Sequence, residues 1–155
     1  MNDDLRFDGR VAVITGGGRG LGRSHALLLG RQGCKVVVND VGAAIKGEGL
    51  DAGPAQQVVD EIKAMGGEAI ANTDSVATMD GGQAIVQAAL DAFGRIDILI
   101  HNAGNVRYGT LSDISYEDFK AVVATHAGLR FFVDGLLEIG ALTDGERQSI
   151  ETRVA

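Results

Sequence analysis

Short apolar runs alternate along the chain with longer stretches whose apolar residues recur every three or four positions. The runs are Arg10 to Thr15 (RVAVIT), Lys35 to Asp40 (KVVVND), Glu68 to Asn72 (EAIAN) and Ile96 to Asn102 (IDILIHN). They are short and largely β-branched, and read as strands of a buried sheet. Three helical segments separate them. The first carries Leu21, Leu27, Leu28 and Leu29 and closes near Gly33. The second has Pro54 in its first turn, carries Val58, Val59, Ile62 and Met65, and ends at Gly66 and Gly67. The third runs from Ala84 to Phe93 with Ile85, Ala88, Ala89 and Ala92 on one face. The order βαβαβαβ with short connections predicts an α/β fold, a parallel sheet covered on both sides.

Beyond the fourth strand, Ser115 and Asp118 form a capping arrangement that opens a helix from Tyr116 to about Gly128. Thr143 and Glu146 make a sharper capping box for a last short helix. Composition adds little to this picture. The 155 residues suit one domain, and 23 glycines against one proline fit many tight turns. A net charge of −7 argues against a nucleic-acid or acidic-membrane surface, though a helix N-terminus still attracts a single phosphate locally. Cys34 is the only cysteine, which excludes an internal disulfide and suits a reducing compartment. The opening MNDDLRFDGR is polar and acidic, unlike a secretory signal. No apolar run nears the roughly 18 residues of a membrane span. A cytoplasmic protein is expected, with no metal site.

The segment TGGGRGLGRS, Thr15 to Ser24, places five glycines in ten residues directly after the first strand. Glycine at that density costs backbone entropy, and what it permits is close approach to the main chain. In one reading, Gly16, Gly20 and Gly22 let the backbone approach a pyrophosphate at the start of the following helix. In another, Gly17 to Gly22 followed by Arg23 and Ser24 has the spacing of a triphosphate-binding loop, with Arg in place of Lys. Lys reaches terminal phosphates as a compact charge, and a planar guanidinium does not replace it, so this second reading fails. Asp40 favours the first. It ends the second strand, 18 residues past Gly22, where a carboxylate accepts hydrogen bonds from an adenosine ribose diol and repels a 2′-phosphate. Arg19 pulls the other way, since a guanidinium beside the ribose pairs with that phosphate. NAD is expected over NADP.

These residues resemble the short-chain dehydrogenase/reductase (SDR) family. TGGGRGLG fits its T-G-x-x-x-G-x-G fingerprint, HNAG (His101 to Gly104) is similar to its N-N-A-G, and NTDSV carries its aspartate at Asp74. The stretch from Val36 to Val76, with a long loop after the second strand, looks like the (3R)-hydroxyacyl-CoA dehydrogenase unit of multifunctional β-oxidation enzymes and their bacterial relatives. The resemblance implies a Rossmann-type doubly wound parallel sheet, here of strand order 3-2-1-4. It also implies NAD-dependent conversion of a small secondary alcohol to a ketone, often on an acyl-CoA. By that likeness Gly16, Arg19, Gly20, Leu21 and Gly22 cradle the pyrophosphate and Asp40 holds the ribose. Asp74 and Ser75 face the adenine, while Asn102, Ala103 and Gly104 line the far ribose and the nicotinamide approach. Residues 1–126 form the dinucleotide-binding domain, and 127–155 an unmatched, mostly helical tail on it.

The family's acid–base chemistry uses a Ser and a Tyr-x-x-x-Lys pair placed after a fifth strand, and no such segment stands in this sequence. Tyr116 to Lys120 (YEDFK) has the spacing, but it begins 12 residues past Gly104 with no strand between. It reads as a helix-start aromatic and a solvated lysine, and no catalytic residue is assigned. His126 falls where the resemblance implies a polar residue on the fourth helix, one residue short of the usual spacing, and reads as an exposed histidine without a task. The expectation is a shortened chain that binds cofactor without normal turnover; the alternative is a non-catalytic dinucleotide-binding or assembly module. The fourth strand, internal in the family, becomes a bare edge that invites pairing. The apolar Leu129, Phe131, Phe132, Val133, Leu136, Leu137 and Ile139 are expected to cover it or to form the seam of a homo-oligomer.

Overall fold

Valines and isoleucines crowd the two segments at the centre of the sheet, and burial on both faces is what they permit. The computed structural model describes residues 5–42, 53–110, 112–138 and 140. Strands β1 (Val11–Thr15), β2 (Lys35–Asn39), β3 (Ala69–Asn72) and β4 (Ile98–His101) are parallel and lie in the order β3-β2-β1-β4. Helices α1 (Gly20–Arg31), α2 (Gly53–Ala64), α3 (Met79–Phe93), α4 (Tyr116–His126) and α5 (Leu129–Glu138) connect and follow them. The doubly wound order 3-2-1-4 is the expected one.

Alternation along the strands divides the core. Ala12, Ile14, Val36 and Val38 pack under Ala26 and Leu29 of α1 and Val58 and Ile62 of α2. Val13 and Val37 face Ile85, Val86 and Ala89 of α3 and Phe132 of α5. Glycines set how closely the helices approach. A Cβ on Gly30 would stand 3.0 Å from Ile62 of α2, and one on Gly82 would stand 2.7 Å from Phe131 of α5.

Several element ends differ from expectation. Helix α3 starts at Met79, five residues before Ala84, because Thr78 caps it by accepting from the Gly81 amide. Gly81 and Gly82 disguise that first turn in the sequence. A Cβ on Gly81 would lie 2.0 Å from the Ser75 carbonyl, so packing outweighs propensity there. In α1, Leu21 and Leu28 are exposed, and the buried stripe is Ala26, Leu27, Leu29 and Gly30. The β4 ladder stops at His101 because the next amide, that of Asn102, turns to the Thr15 hydroxyl. Thr143, Glu146, Ile139 and most of the loop before α2 lie outside the described residues.

Helix α5 does not run along the open edge of β4. It lies on the α3 side of the sheet, where Phe132 and Val133 are buried. Among the described residues no strand pairs with the second edge of β4, and Ile98 to His101 are all only half-buried. The fourth helix begins as the capping arrangement implied: Ser115 Oγ accepts from the Asp118 amide at 3.0 Å.

Candidate functional site

Every strand ends on a polar residue, and the four stand in register: Asn72, Asn39, Thr15 and His101. Asn72, Asn39 and Thr15 are buried. A buried polar group is costly unless paired, and here each pairing fastens a loop at the C-terminal edge of the sheet. Thr15 Oγ1 accepts from the amides of Asn102 (3.1 Å) and Ala103 (3.0 Å). The Asn102 side chain donates back to the Thr15 and Gly16 carbonyls, both at 3.1 Å. The turn after β1 is thereby stitched to the loop after β4.

The glycines of that turn divide their work. Gly16 sits at φ +62, and a Cβ there would lie 3.0 Å from Ala103 Cα. A Cβ on Gly22 would lie 2.1 Å from the Gly16 carbonyl, so both positions serve the fold of the turn itself. Gly20 has φ +54 and nothing within 4 Å of its missing Cβ: it opens onto free space at the start of α1. That helix start has no side-chain cap from Arg19 and no acidic residue in its first turn. Amides so arranged, under the positive end of a helix, suit an anion. Leu21, the next residue, is exposed beside them.

Asp40 lies immediately beyond β2, tied into the same turn. Its Oδ2 accepts from the Gly18 amide at 2.9 Å and its Oδ1 from the Gly42 amide at 2.8 Å, while Gly17 donates to the Asn39 carbonyl at 2.9 Å. Each carboxylate oxygen keeps a further lone pair. Asp74 is half-buried beyond β3, and Ser75 is exposed, its hydroxyl accepting from the Ala77 amide at 3.2 Å. Arg23, which the triphosphate reading needs at the loop, pairs instead with Glu61 of α2 at 2.6 Å.

On the β4 side, Gly104 is exposed, and a Cβ there would stand 2.8 Å from His126 Cε1. The His126 Nε2 lies 3.1 Å from the Asn105 carbonyl. His126 is exposed as read from the sequence, but it is not idle: its ring braces the 104–105 turn. Asn105 donates to Thr125 Oγ1 at 3.0 Å. His101 meets Phe132 edge-on, 6.2 Å between ring centres, with Nδ1 3.4 Å from Thr15 Oγ1. Burial pushes its pKa below the ordinary imidazole value, against an opposing pull from the His126 and Thr125 backbones.

A family model described as short chain dehydrogenase matches residues 10–128. The chain belongs to that family. Peroxisomal multifunctional enzyme type 2 of Mus musculus is 47% identical over 126 residues, covering 81% of this chain and 17% of the mouse protein. The crystal structure of a short chain dehydrogenase from Mycobacterium avium superimposes with a TM-score of 0.73 at 43% identity, covering 86% of this chain and 49% of that one. A short chain dehydrogenase/reductase from Burkholderia phymatum, solved in complex with NAD, gives 0.76 at 35% identity and covers 87% and 45%. The chain thus spans about half of these two dehydrogenases and under a fifth of the mouse enzyme.

In this short-chain dehydrogenase chain, Tyr116 is 70% exposed. Lys120 Nζ lies 5.5 Å over its ring and 3.6 Å from Glu117. That is the solvated helix start expected of the pair. The sequence reading did not single out Thr15, Asn39, Asn72 or Asn105. Their signal was available: each of the first three is the polar residue that closes an apolar run.

Proposed function

We propose that these residues hold a nicotinamide dinucleotide along the C-terminal edge of the sheet, NAD in preference to NADP. The hydrogen bond between the Gly18 amide and Asp40 carries the reading, because it fixes a carboxylate to the glycine turn. A ribose diol and its neighbouring diphosphate need those two features side by side. Gly16, Arg19, Gly20, Leu21 and Gly22 would hold the diphosphate, Asp40 the adenosine ribose, Asp74 and Ser75 the adenine. Asn102, Ala103 and Gly104 would border the far ribose. The bound cofactor supplies hydride transfer to or from a substrate carbon, and the chain's own residues bind and orient it. The Asp40 charge disfavours a 2′-phosphate by like-charge repulsion.

The reaction class we infer for a cofactor held this way is interconversion of a secondary alcohol and a ketone, with 3-hydroxyacyl thioesters as the substrate class that the resemblance of residues 36–76 implies. Residues 1–126 act as the dinucleotide-binding domain, and α5 packs against it through Phe132 and Val133. We further infer a homo-oligomer, from the edge of β4 that no strand among the described residues covers and an apolar stripe on α4, and residence in the reducing cytoplasm.

The alternative, a dinucleotide-binding module without catalysis, is favoured by the exposure of Tyr116 and Lys120. Calorimetric titration of the 155-residue chain tests the cofactor reading. NAD is expected to bind at least about tenfold tighter than NADP, with Asp40→Ser narrowing the gap. Equal or tighter NADP binding would contradict it. Turnover of a panel of secondary alcohols and 3-hydroxyacyl thioesters is expected to stay at background. Appreciable turnover abolished by Tyr116→Phe would instead make Tyr116 a catalytic residue.

A further inference from the structure

Asn39 is 1% exposed, the most enclosed of the asparagines in the polar row, and its side chain faces across β3 rather than into the crevice. Its Nδ2 donates to Asn72 Oδ1 at 2.7 Å and to the Asp74 carbonyl at 2.9 Å. Asn72 Oδ1 also accepts from the Asp74 amide at 3.0 Å, and Asn72 Nδ2 donates to Asp74 Oδ2 at 2.7 Å. Asp74 is therefore gripped at its amide, its carbonyl and one carboxylate oxygen, leaving Oδ1 for another donor. Two asparagine amides suffice for this because each offers both donors and an acceptor, which neither aspartate nor leucine of similar size does.

We propose that Asn39 is a positioning residue: acting through Asn72, it fixes the Asp74 carboxylate as an acceptor for the exocyclic amine of an adenine ring. The inference rests on the cofactor reading above and extends it. Asn39 touches no part of the ligand. Its influence is confined to the adenosine end, because the amide network reaches Asp74 and does not extend to the loop after β4. Closed networks of this kind hold a side chain in place before a ligand arrives, which reduces the ordering cost on binding.

The test is equilibrium binding of NAD, ADP-ribose and nicotinamide mononucleotide to the full chain, its Asn39→Leu and Asp74→Ala variants, and the double variant. In Asn39→Leu, NAD and ADP-ribose are expected to bind about tenfold more weakly, the scale of one lost hydrogen bond to a charged group. Nicotinamide mononucleotide is expected to bind unchanged. In the Asp74→Ala background, Asn39→Leu is expected to add no further loss. Unchanged ADP-ribose affinity in Asn39→Leu, an equal loss for nicotinamide mononucleotide, or full additivity with Asp74→Ala would each overturn the inference. Asn72→Ala, at the more accessible strand, carries the same expectations if Asn39→Leu does not fold. If the native chain binds NAD while the variants behave alike, only the role of Asn39 falls. If the native chain binds neither NAD nor ADP-ribose, the cofactor reading falls first and this inference with it.

Discussion

Gly20 and Gly22 are two residues apart, yet an added methyl group has different consequences at each. At Gly22 it meets the Gly16 carbonyl at 2.1 Å, inside the protein's own turn. Gly22→Ala is expected to cost about 3 kcal/mol of folding stability, the upper range for overpacking. At Gly20 it meets nothing, and the cost is the left-handed backbone alone, about 1 kcal/mol. Gly20→Ala is expected instead to weaken NAD binding about tenfold by occupying the space over the helix start. Thermal melts and NAD titrations of both variants check this, and a Gly20→Ala protein with native affinity would contradict it. His101 gives a pH dependence. Its folded pKa is lowered, so the unfolded chain takes up the proton first. Its contribution to stability is complete above the ordinary imidazole value and is lost as pH falls from there toward the lowered one. The melting temperature is expected to fall between pH 7.5 and 5.5, and to fall less in His101→Asn. Equal slopes in the two proteins would remove His101 as the cause. Cys34 contributes no such titration, because burial pushes its thiol up to about 11.

Among the elements, α4 stands apart. It has no buried residue, although Tyr116, Phe119 and Val123 form an apolar stripe along it, 70%, 58% and 46% exposed. It is held by its Ser115 cap, the Arg107–Asp118 pair at 2.8 Å and the Asn105 contacts. A helix with an uncovered stripe of that kind gains most from packing against another chain. Light scattering is expected to give a mass of at least two chains, reduced by Phe119→Asp. A single-chain mass for the native protein would contradict the oligomer. Strand identities were legible because a buried parallel sheet demands uninterrupted apolar runs, and β1 and β2 supply them; the order 3-2-1-4 was implied by the family resemblance. Helix starts were less legible. Thr78 was a sound capping signal, but Gly81 and Gly82 hid the turn it opens, since only the packing of Ser75 and Phe131 explains them. Likewise the sequence placed Leu21, Leu27, Leu28 and Leu29 on one helix without separating the buried Leu27 and Leu29 from the exposed Leu21 and Leu28, because nothing local to a helix says which stripe meets the sheet.

Over the whole molecule, the binding crevice was legible where glycine and aspartate spacing carries the geometry, and illegible where support comes from across the sheet. Asp40 and the glycine turn could be named from one segment of chain. The pairing of Thr15 with Asn102 and Ala103, or of Asn39 with Asn72 and Asp74, joins residues 33 to 88 positions apart and exists only once β3-β2-β1-β4 is assembled. That assembly makes the polar row a common footing for the three loops that border the crevice. The central claim is that this footing presents the α1 start and Asp40 to one dinucleotide. The most direct test is a crystal structure of the chain grown with NAD. The account requires the diphosphate over the Gly20–Gly22 amides and the adenosine ribose hydroxyls on Asp40. A crevice left empty at saturating NAD, or a dinucleotide bound elsewhere on the chain, would contradict it.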